Sequence, residues 1–358
     1  MGSRDRRGLR RGTAEVNRPH LYRICGVTLG SELLLPADDL GRGEADIAVT
    51  LRAASIPRLS PGPWPFQARH LTPDGLRLEY LNPDGETLRF TVSADGTRIA
   101  IETSFESEQG LAYILLGLPL AAALFFRGAV TLHGSAVVLD GRAVLVAGRS
   151  GSGKSTTTAA AMAAGAALLS DDLCTLTPTP SGWMVEPGYP WLRLSPDTGL
   201  MLGLAAAELP RIFGPANPDD KRWVDSRSLP AGFHPCAAPL AGICVLAGPR
   251  RKEAEPSFRA LTPAEGCAVL EPHGFGWKAM EQPKAASLAT CARIASRVPV
   301  FRVRLPEGLD AMLPAARVIL RHVTRAGDPG PGQDGSRFED TAHLRGAAHP
   351  APGDTEHP

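Results

Sequence analysis

Gly148-Arg149-Ser150-Gly151-Ser152-Gly153-Lys154-Ser155 is the stretch on which the reading of this chain turns. It satisfies the pattern G-x-x-x-x-G-K-[ST] in full. Before it stands a strand-like run, Arg142-Ala143-Val144-Leu145-Val146-Ala147, and after it the Ala-rich segment from Thr156 to Ala164 predicts a helix. Strand, glycine loop and helix form the context in which this pattern binds phosphate. The glycines let backbone N–H groups curl around an anion, and the helix N-terminus adds the positive end of its dipole. In such a loop Lys154 reaches the β- and γ-phosphates and the Ser155 hydroxyl holds Mg²⁺. Gly148, Ser150, Gly151, Ser152, Gly153, Lys154, Ser155 and Thr156 are therefore the candidate residues for a nucleoside triphosphate.

Residue usage sharpens the case for the lysine. Of 38 Lys plus Arg, only Lys154, Lys221, Lys252, Lys278 and Lys284 are lysine. A lysine where arginine is the habit points to a need for a compact ammonium. The net charge of +1 gives no general pull toward nucleic acid or an anionic membrane. The six cysteines include no C-x-x-C pair, so neither a zinc site nor a disulfide framework is indicated. Reduced thiols in a cytoplasmic protein are the expectation. The first 20 residues have no apolar core of the secretory kind. Leu111 to Phe126 is apolar apart from the Tyr113 hydroxyl. It is short for a bilayer, which takes about 20 residues, and Pro119 interrupts it, so it predicts a buried core helix and no membrane span.

Around this centre the chain divides into four parts. Residues 1–18 read as a disordered Arg-rich arm and 326–358 as a disordered tail rich in Gly, Pro, Asp and His. The tail's His343, His349 and His357 are too loosely spaced for a metal site. Residues 19–105 alternate short β-like runs with turn signals: Ile47 to Leu51, Leu76 to Leu81, Thr87 to Val92 and Thr97 to Ile101, with Pro83-Asp84-Gly85 and Asp95-Gly96 between. That spacing predicts an antiparallel meander in a small β-rich domain. Residues 106–325 hold the phosphate loop. Here Ala129 to Leu132 and Ser135 to Leu139 read as strands, Asp140-Gly141 as a hairpin turn, and Gly165 as the glycine after a helix. Mixed strands continue to about Leu246, and Leu309 to Val323 predicts a helix with one apolar face.

A phosphate loop alone implies a nucleotide and not a reaction. The added information is Asp171-Asp172, which closes the short apolar strand after the predicted loop helix. Strand ends in open α/β sheets are where ligands bind. One carboxylate there can hold the Mg²⁺ that bridges the phosphates, and an adjacent one can accept the proton of an attacking hydroxyl. His133, in Leu132-His133-Gly134-Ser135, is a further candidate. Lys221-Arg222, after Asp219-Asp220 in a Pro/Gly-rich stretch, can serve as a phosphate clamp or as a solvated loop.

Taken in order, Leu132-His133-Gly134-Ser135-Ala136-Val137, the phosphate loop, and Leu169-Ser170-Asp171-Asp172 resemble the catalytic domain of bacterial HPr kinase/phosphorylase. The likeness is greater to stand-alone HPr-kinase-like proteins with a β-rich N-terminal region, some of which serve lasso peptide gene clusters. Tyr22 to Leu33 and Pro187-Gly188-Tyr189-Pro190-Trp191-Leu192-Arg193-Leu194 look like theirs, and the similarity spans roughly Tyr22 to Val323. The resemblance implies an α/β fold: the P-loop kinase core shared with phosphoenolpyruvate carboxykinases, joined to a β-rich N-terminal domain. It also implies ATP and Mg²⁺ as ligands and a homo-oligomer. Asp171 then matches the base that takes the proton of a substrate serine, and His133 a histidine beside it. Asp172 and Ser155 lie where the metal is held. The expected reaction is transfer of the γ-phosphoryl group of ATP to a serine of a peptide or protein. The sequence departs from the family in having no Glu-x-Arg-Gly-x-Gly stretch after the Asp pair; Glu186 and Arg193 are partial replacements. An ATP-binding regulatory module without transfer is the alternative. A transport ATPase is disfavoured because no Leu-Ser-Gly-Gly-Gln string is present.

Overall fold

The computed structural model describes residues 19–53, 68–81, 86–105, 107–205, 209–212, 221–248, 250–253 and 255–326. The N-terminal arm, the Pro83-Asp84-Gly85 turn, the Asp219-Asp220 pair and the tail from residue 327 lie outside the described residues. The chain is a mixed α/β protein with two large sheets.

Strands β1 (His20–Ile24), β2 (Val27–Ser31), β3 (Ile47–Ala53), β4 (Ala68–Thr72), β5 (Gly75–Leu81), β6 (Thr87–Ser93) and β7 (Arg98–Thr103) form the first sheet, in the order β1-β2-β3-β7-β6-β5-β4. Only β4 to β7 make the expected antiparallel meander. β3 lies between β2 and β7 and runs parallel to both. Turn dipeptides report local hairpins, whereas a parallel pairing is set by a long crossover, here residues 32–46, which carries no such signal. Alternation is clear. Leu76, Leu78, Leu88, Phe90, Val92, Ile99 and Ile101 are buried on one face. On the other, Arg89 bridges Glu79 and Glu102 at 3.0 and 2.9 Å.

The buried face packs on two helices where the sequence predicts one. α1 (Glu108–Leu115) and α2 (Leu118–Phe126) are separated at Gly117, whose φ of −93° and ψ of −121° are not helical. Pro119 lacks an N–H and would clash with the carbonyl four residues back, so the helix restarts with Pro119 in its first turn. Glu108–Phe126 taken together is long and apolar enough to cross a membrane by length and composition, and 67% of its most apolar window is buried inside the protein. Leu111, Leu115, Leu120 and Leu124 join the core of the first sheet.

The second sheet contains β8 (Val130–Leu139), β9 (Arg142–Gly148), β10 (Ala167–Ser170), β11 (Leu173–Thr179) and β12 (Gly182–Val185). After a separate ribbon of β13 (Trp191–Leu194) and β14 (Arg222–Asp225), it is completed by β15 (Ala238–Leu246), β16 (Ser257–Ala260) and β17 (Val300–Arg304). β8 is one strand and not the two runs read from the sequence. Gly134 continues it because a side chain there would come within 2.7 Å of the Val146 carbonyl oxygen on β9. β9 is buried from Ala143 to Gly148 and pairs parallel to β15, which pairs parallel to β17, so all three end at one edge. A near-continuous apolar run is what a parallel strand covered on both faces requires. α3 (Lys154–Ala163) and α7 (Met312–Ala326) cover one face, and α5 (Pro263–Leu270) and α6 (Lys284–Ala295) the other; the short α4 (Pro196–Met201) follows β13. α7 begins three residues later than its apolar pattern predicts. Pro314 thereby falls in the first turn, where a missing N–H costs nothing. Met312, Ala315, Ala316, Ile319, Leu320 and Val323 are its buried stripe.

Candidate functional site

The loop 148–153 leaves β9 at the edge where the parallel strands end, and α3 begins directly behind it. Gly151 and Gly153 have φ of 76° and 101°, a region that residues with a β-carbon avoid. Gly153 is the N-cap of α3 and supplies no side-chain hydrogen bond, so the first amides of the helix stay open to an anion. The Lys154 ammonium donates to the carbonyls of Gly148 at 2.7 Å and Arg149 at 3.2 Å, across the mouth of the loop. Burial lowers its pKa, and Asp172 and Asp171 oppose that shift. The Ser152 hydroxyl is buried and makes no hydrogen bond among the described residues. These features fit a phosphate-bearing ligand.

Opposite the loop lie the two aspartates. β10 and β11 both pair antiparallel to β8, and Asp171-Asp172 is the two-residue bend that joins them. Asp172 there has φ of 72°. Both aspartates line a cleft of about 460 Å³ together with Lys154, Ser155, Thr156 and Arg193. Asp171 is buried. Its Oδ1 accepts from the Ser135 hydroxyl at 2.7 Å and its Oδ2 from the Arg193 backbone N–H at 3.2 Å. Asp172 Oδ1 lies 2.5 Å from Arg193 Nη2 and 3.1 Å from His133 Nε2. Burial alone would raise the Asp172 carboxyl, but the Arg193 guanidinium and His133 hold it well below the usual carboxylate range. The partner of His133 is thus Asp172, and not Asp171 as the resemblance implies. Register explains it: Leu173 is the cross-strand partner of His133, so Asp172, the residue before it at φ 72°, is the carboxylate nearer to that ring.

Arg193 is the hub that the sequence reading underrated. Buried on β13, it also donates to the Tyr113 hydroxyl and lies 5.0 Å from the centre of that ring. Burial would lower its pKa, yet Asp172, Tyr113 and Asp171 carry it well above the ordinary value. A signal did exist: Tyr113 carries the one side-chain polar group in the apolar run 111–126. Phe275 sets its ring 5.3 Å from that of His133, edge to face. Ser195 and Thr198 line the cleft as well, and Thr198 Oγ1 lies 3.3 Å from Thr156 Oγ1. Lys221 reaches the cleft, whereas Arg222 opens β14 and donates to the Leu209 carbonyl, so the two cations of the expected clamp part company. Arg250, which the sequence did not single out, lines the cleft beside Gly153.

Among the described residues no group of three or more His, Cys, Asp or Glu side chains is arranged to hold a metal ion. A Mg²⁺ that arrives with substrate phosphates takes only one or two protein ligands, and Ser155 and Asp172 in one cleft meet that need.

No family model matches the chain, and no curated protein matches it in sequence. Among solved structures it is similar to the Hpr(Ser) kinase/phosphatase from Coxiella burnetii, at 14% sequence identity and a TM-score of 0.29, over 54% of this chain and 95% of that chain. A likeness of that extent decides nothing about the reaction, and the functional reading rests on the residues of the cleft.

Proposed function

We propose that this protein is an ATP-dependent phosphotransferase that moves the γ-phosphoryl group to the hydroxyl of a serine in a peptide or protein. The observation that carries the reading is that one cleft holds both the open N-terminus of α3 with Lys154 and the adjacent pair Asp171-Asp172. A purely binding module has no need of the second half. Phosphoryl transfer asks the protein chiefly for positioning and charge neutralisation, and the cleft offers both.

The roles follow from the contacts. The loop amides and Lys154 seat the phosphates. Ser155 and Asp172 would hold Mg²⁺, which when bound neutralises charge on the β- and γ-phosphates. Asp172 suits this task because Arg193 and His133 keep it ionised and fix its direction. Asp171 takes the proton of the attacking hydroxyl. An ionised carboxylate offers about four acceptor positions, and Ser135 and the Arg193 amide use two, which leaves room for a third donor. The acceptor oxygen bonds to the γ-phosphorus, the bond from that phosphorus to the bridging oxygen breaks, and ADP leaves with the electron pair.

The test is transfer from γ-labelled ATP with Mg²⁺ to HPr, to peptides ending in serine and to free L-serine, with two variants. Asp171→Asn should bind ATP and lose transfer, since an amide cannot take the proton. Asp172→Asn should instead raise the Mg²⁺ concentration needed. Normal turnover by Asp171→Asn would sink its assignment as base. Tight ATP binding by the wild type with no label on any acceptor would favour a regulatory module.

A further inference from the structure

Glu186, which the sequence offers as a partial replacement for the missing Glu-x-Arg-Gly-x-Gly stretch, does not join the phosphate cleft. It lines a second cleft of about 370 Å³, which shares no residue with the first. The Cys25-Gly26 turn between β1 and β2, the end of α2, strands β8 and β11 and one residue of α6 form its walls. Its charged groups differ in what already neutralises them. Arg127 is paired with Asp46 at 3.2 Å. Glu186 accepts from the Thr177 hydroxyl at 2.7 Å and meets no cation among the described residues. The Arg293 guanidinium lies over the Trp183 ring, 5.5 Å from its centre, and meets no carboxylate among the described residues. Gly26 makes room for Glu186: a β-carbon there would come within 3.0 Å of its Cγ. The Thr175 hydroxyl lines the same cleft and is buried. It makes no ordinary hydrogen bond among the described residues, and only the Cys25 thiol, a weak partner, lies beside it.

One uncompensated carboxylate and one uncompensated guanidinium in a single cleft complement a molecule that carries both charges itself. The guanidinium fork matches a carboxylate. The C-terminal end of α2, at Arg127 and Gly128, adds partial negative charge for a cationic group. Val27, Leu124 and Pro178 supply apolar surface. The volume suits a small molecule, for which pockets run from about 300 to 1,000 Å³. A buried hydroxyl without a partner favours a ligand group that can bond to it. We propose that this cleft binds a free α-amino acid with an apolar side chain, its ammonium on Glu186 and its carboxylate on Arg293. A molecule seated there is no phosphoryl acceptor, because neither Asp171 nor Lys154 reaches it. Its binding does not depend on what the phosphate cleft does.

The experiment is isothermal titration of the full chain with L-valine, L-leucine, L-isoleucine and L-methionine. The amide and the N-acetyl derivative of each, which carry one charge apiece, are the controls. At least one of the four should bind with a Kd of about 1 mM or below. Both of its derivatives should bind at least about tenfold more weakly, since each leaves one charge of the cleft unmet. Glu186→Gln should lose the discrimination against the N-acetyl derivative, and Arg293→Gln the discrimination against the amide. Lys154→Ala should leave the affinity within about twofold, as expected of a separate site. No binding by any of the four at that concentration would overturn the proposal. So would binding that neither Glu186→Gln nor Arg293→Gln weakens. Binding lost in Lys154→Ala would place the amino acid in the phosphate cleft and overturn it as well. Arg293 is exposed, so its variant tests the proposal even if Glu186→Gln fails to fold; thermal melts of each variant without ligand control for folding.

Discussion

Replacing Arg193 by methionine keeps an unbranched apolar stem and removes the guanidinium whose charge holds the site together. In the wild type this guanidinium is ion-paired with both Asp171 and Asp172 and donates to Tyr113. The Asp171 side chain is only 3% exposed and that of Asp172 20%, so water offers the first almost no compensation and the second only part. Breaking a buried pair by removing one partner costs about 3–5 kcal/mol. That is a large part of a typical folding free energy of about 5–15 kcal/mol. The loss should depend on pH with a definite sign. The Asp172 carboxyl is depressed in the folded protein, so its stabilisation is complete above the unfolded value of about 3.9 and fades as pH falls through the lower folded value. Without Arg193, burial prevails and Asp172 protonates readily, so the gap between wild type and variant should narrow as the medium becomes acid. Urea unfolding at pH 7.5 and pH 4 measures both gaps. A loss below about 1 kcal/mol at pH 7.5, or an equal loss at both pH values, would refute the reasoning; the smaller figure is that of an ordinary surface pair.

Three further outcomes follow from the same contacts. Gly153→Ala places a β-carbon at φ 101° against Arg250 and Leu305, so it should lower stability by about 1–3 kcal/mol and weaken ATP binding, both readable by thermal melts with and without nucleotide. Ser135→Ala strips Asp171 of its buried hydroxyl donor and should cost about 1–3 kcal/mol in urea titrations, while ATP affinity, set by the loop, stays as it was. His273 is buried near His133 and Lys154, and burial with those positive neighbours pushes its pKa down to about 4. The unfolded imidazole takes a proton near pH 6.5, so stability is complete above that value and falls by about 3 kcal/mol as pH drops toward 4. His273→Gln should flatten the unfolding midpoint across that window, and an unchanged slope would show that another group titrates there.

What the sequence makes legible is local. The glycine loop 148–153, its flanking strand and helix, the Asp140-Gly141 hairpin and the apolar stripe of α7 depend on neighbours a few residues apart. What it hides depends on distance along the chain. The parallel pairings of β3 are made by crossovers without a turn signature. The bond between Arg193 and Tyr113 joins residues 80 positions apart. The pairing of His133 with Asp172 follows from the register of β11 on β8, which no pattern of hydrophobicity records. Arg250 became visible only once β15 was seen to run beside β9, since nothing around it in the sequence announces a phosphate.

The most direct measurement is quantitative conversion of γ-labelled ATP by the wild-type chain and by Lys154→Ala in the presence of Mg²⁺ and serine-bearing acceptors. The account predicts ADP and phosphoserine in equal amounts from the wild type, with both nucleotide binding and conversion lost together in the variant. Tight binding of ATP by the wild type with no ADP formed, or undiminished binding by Lys154→Ala, would contradict it.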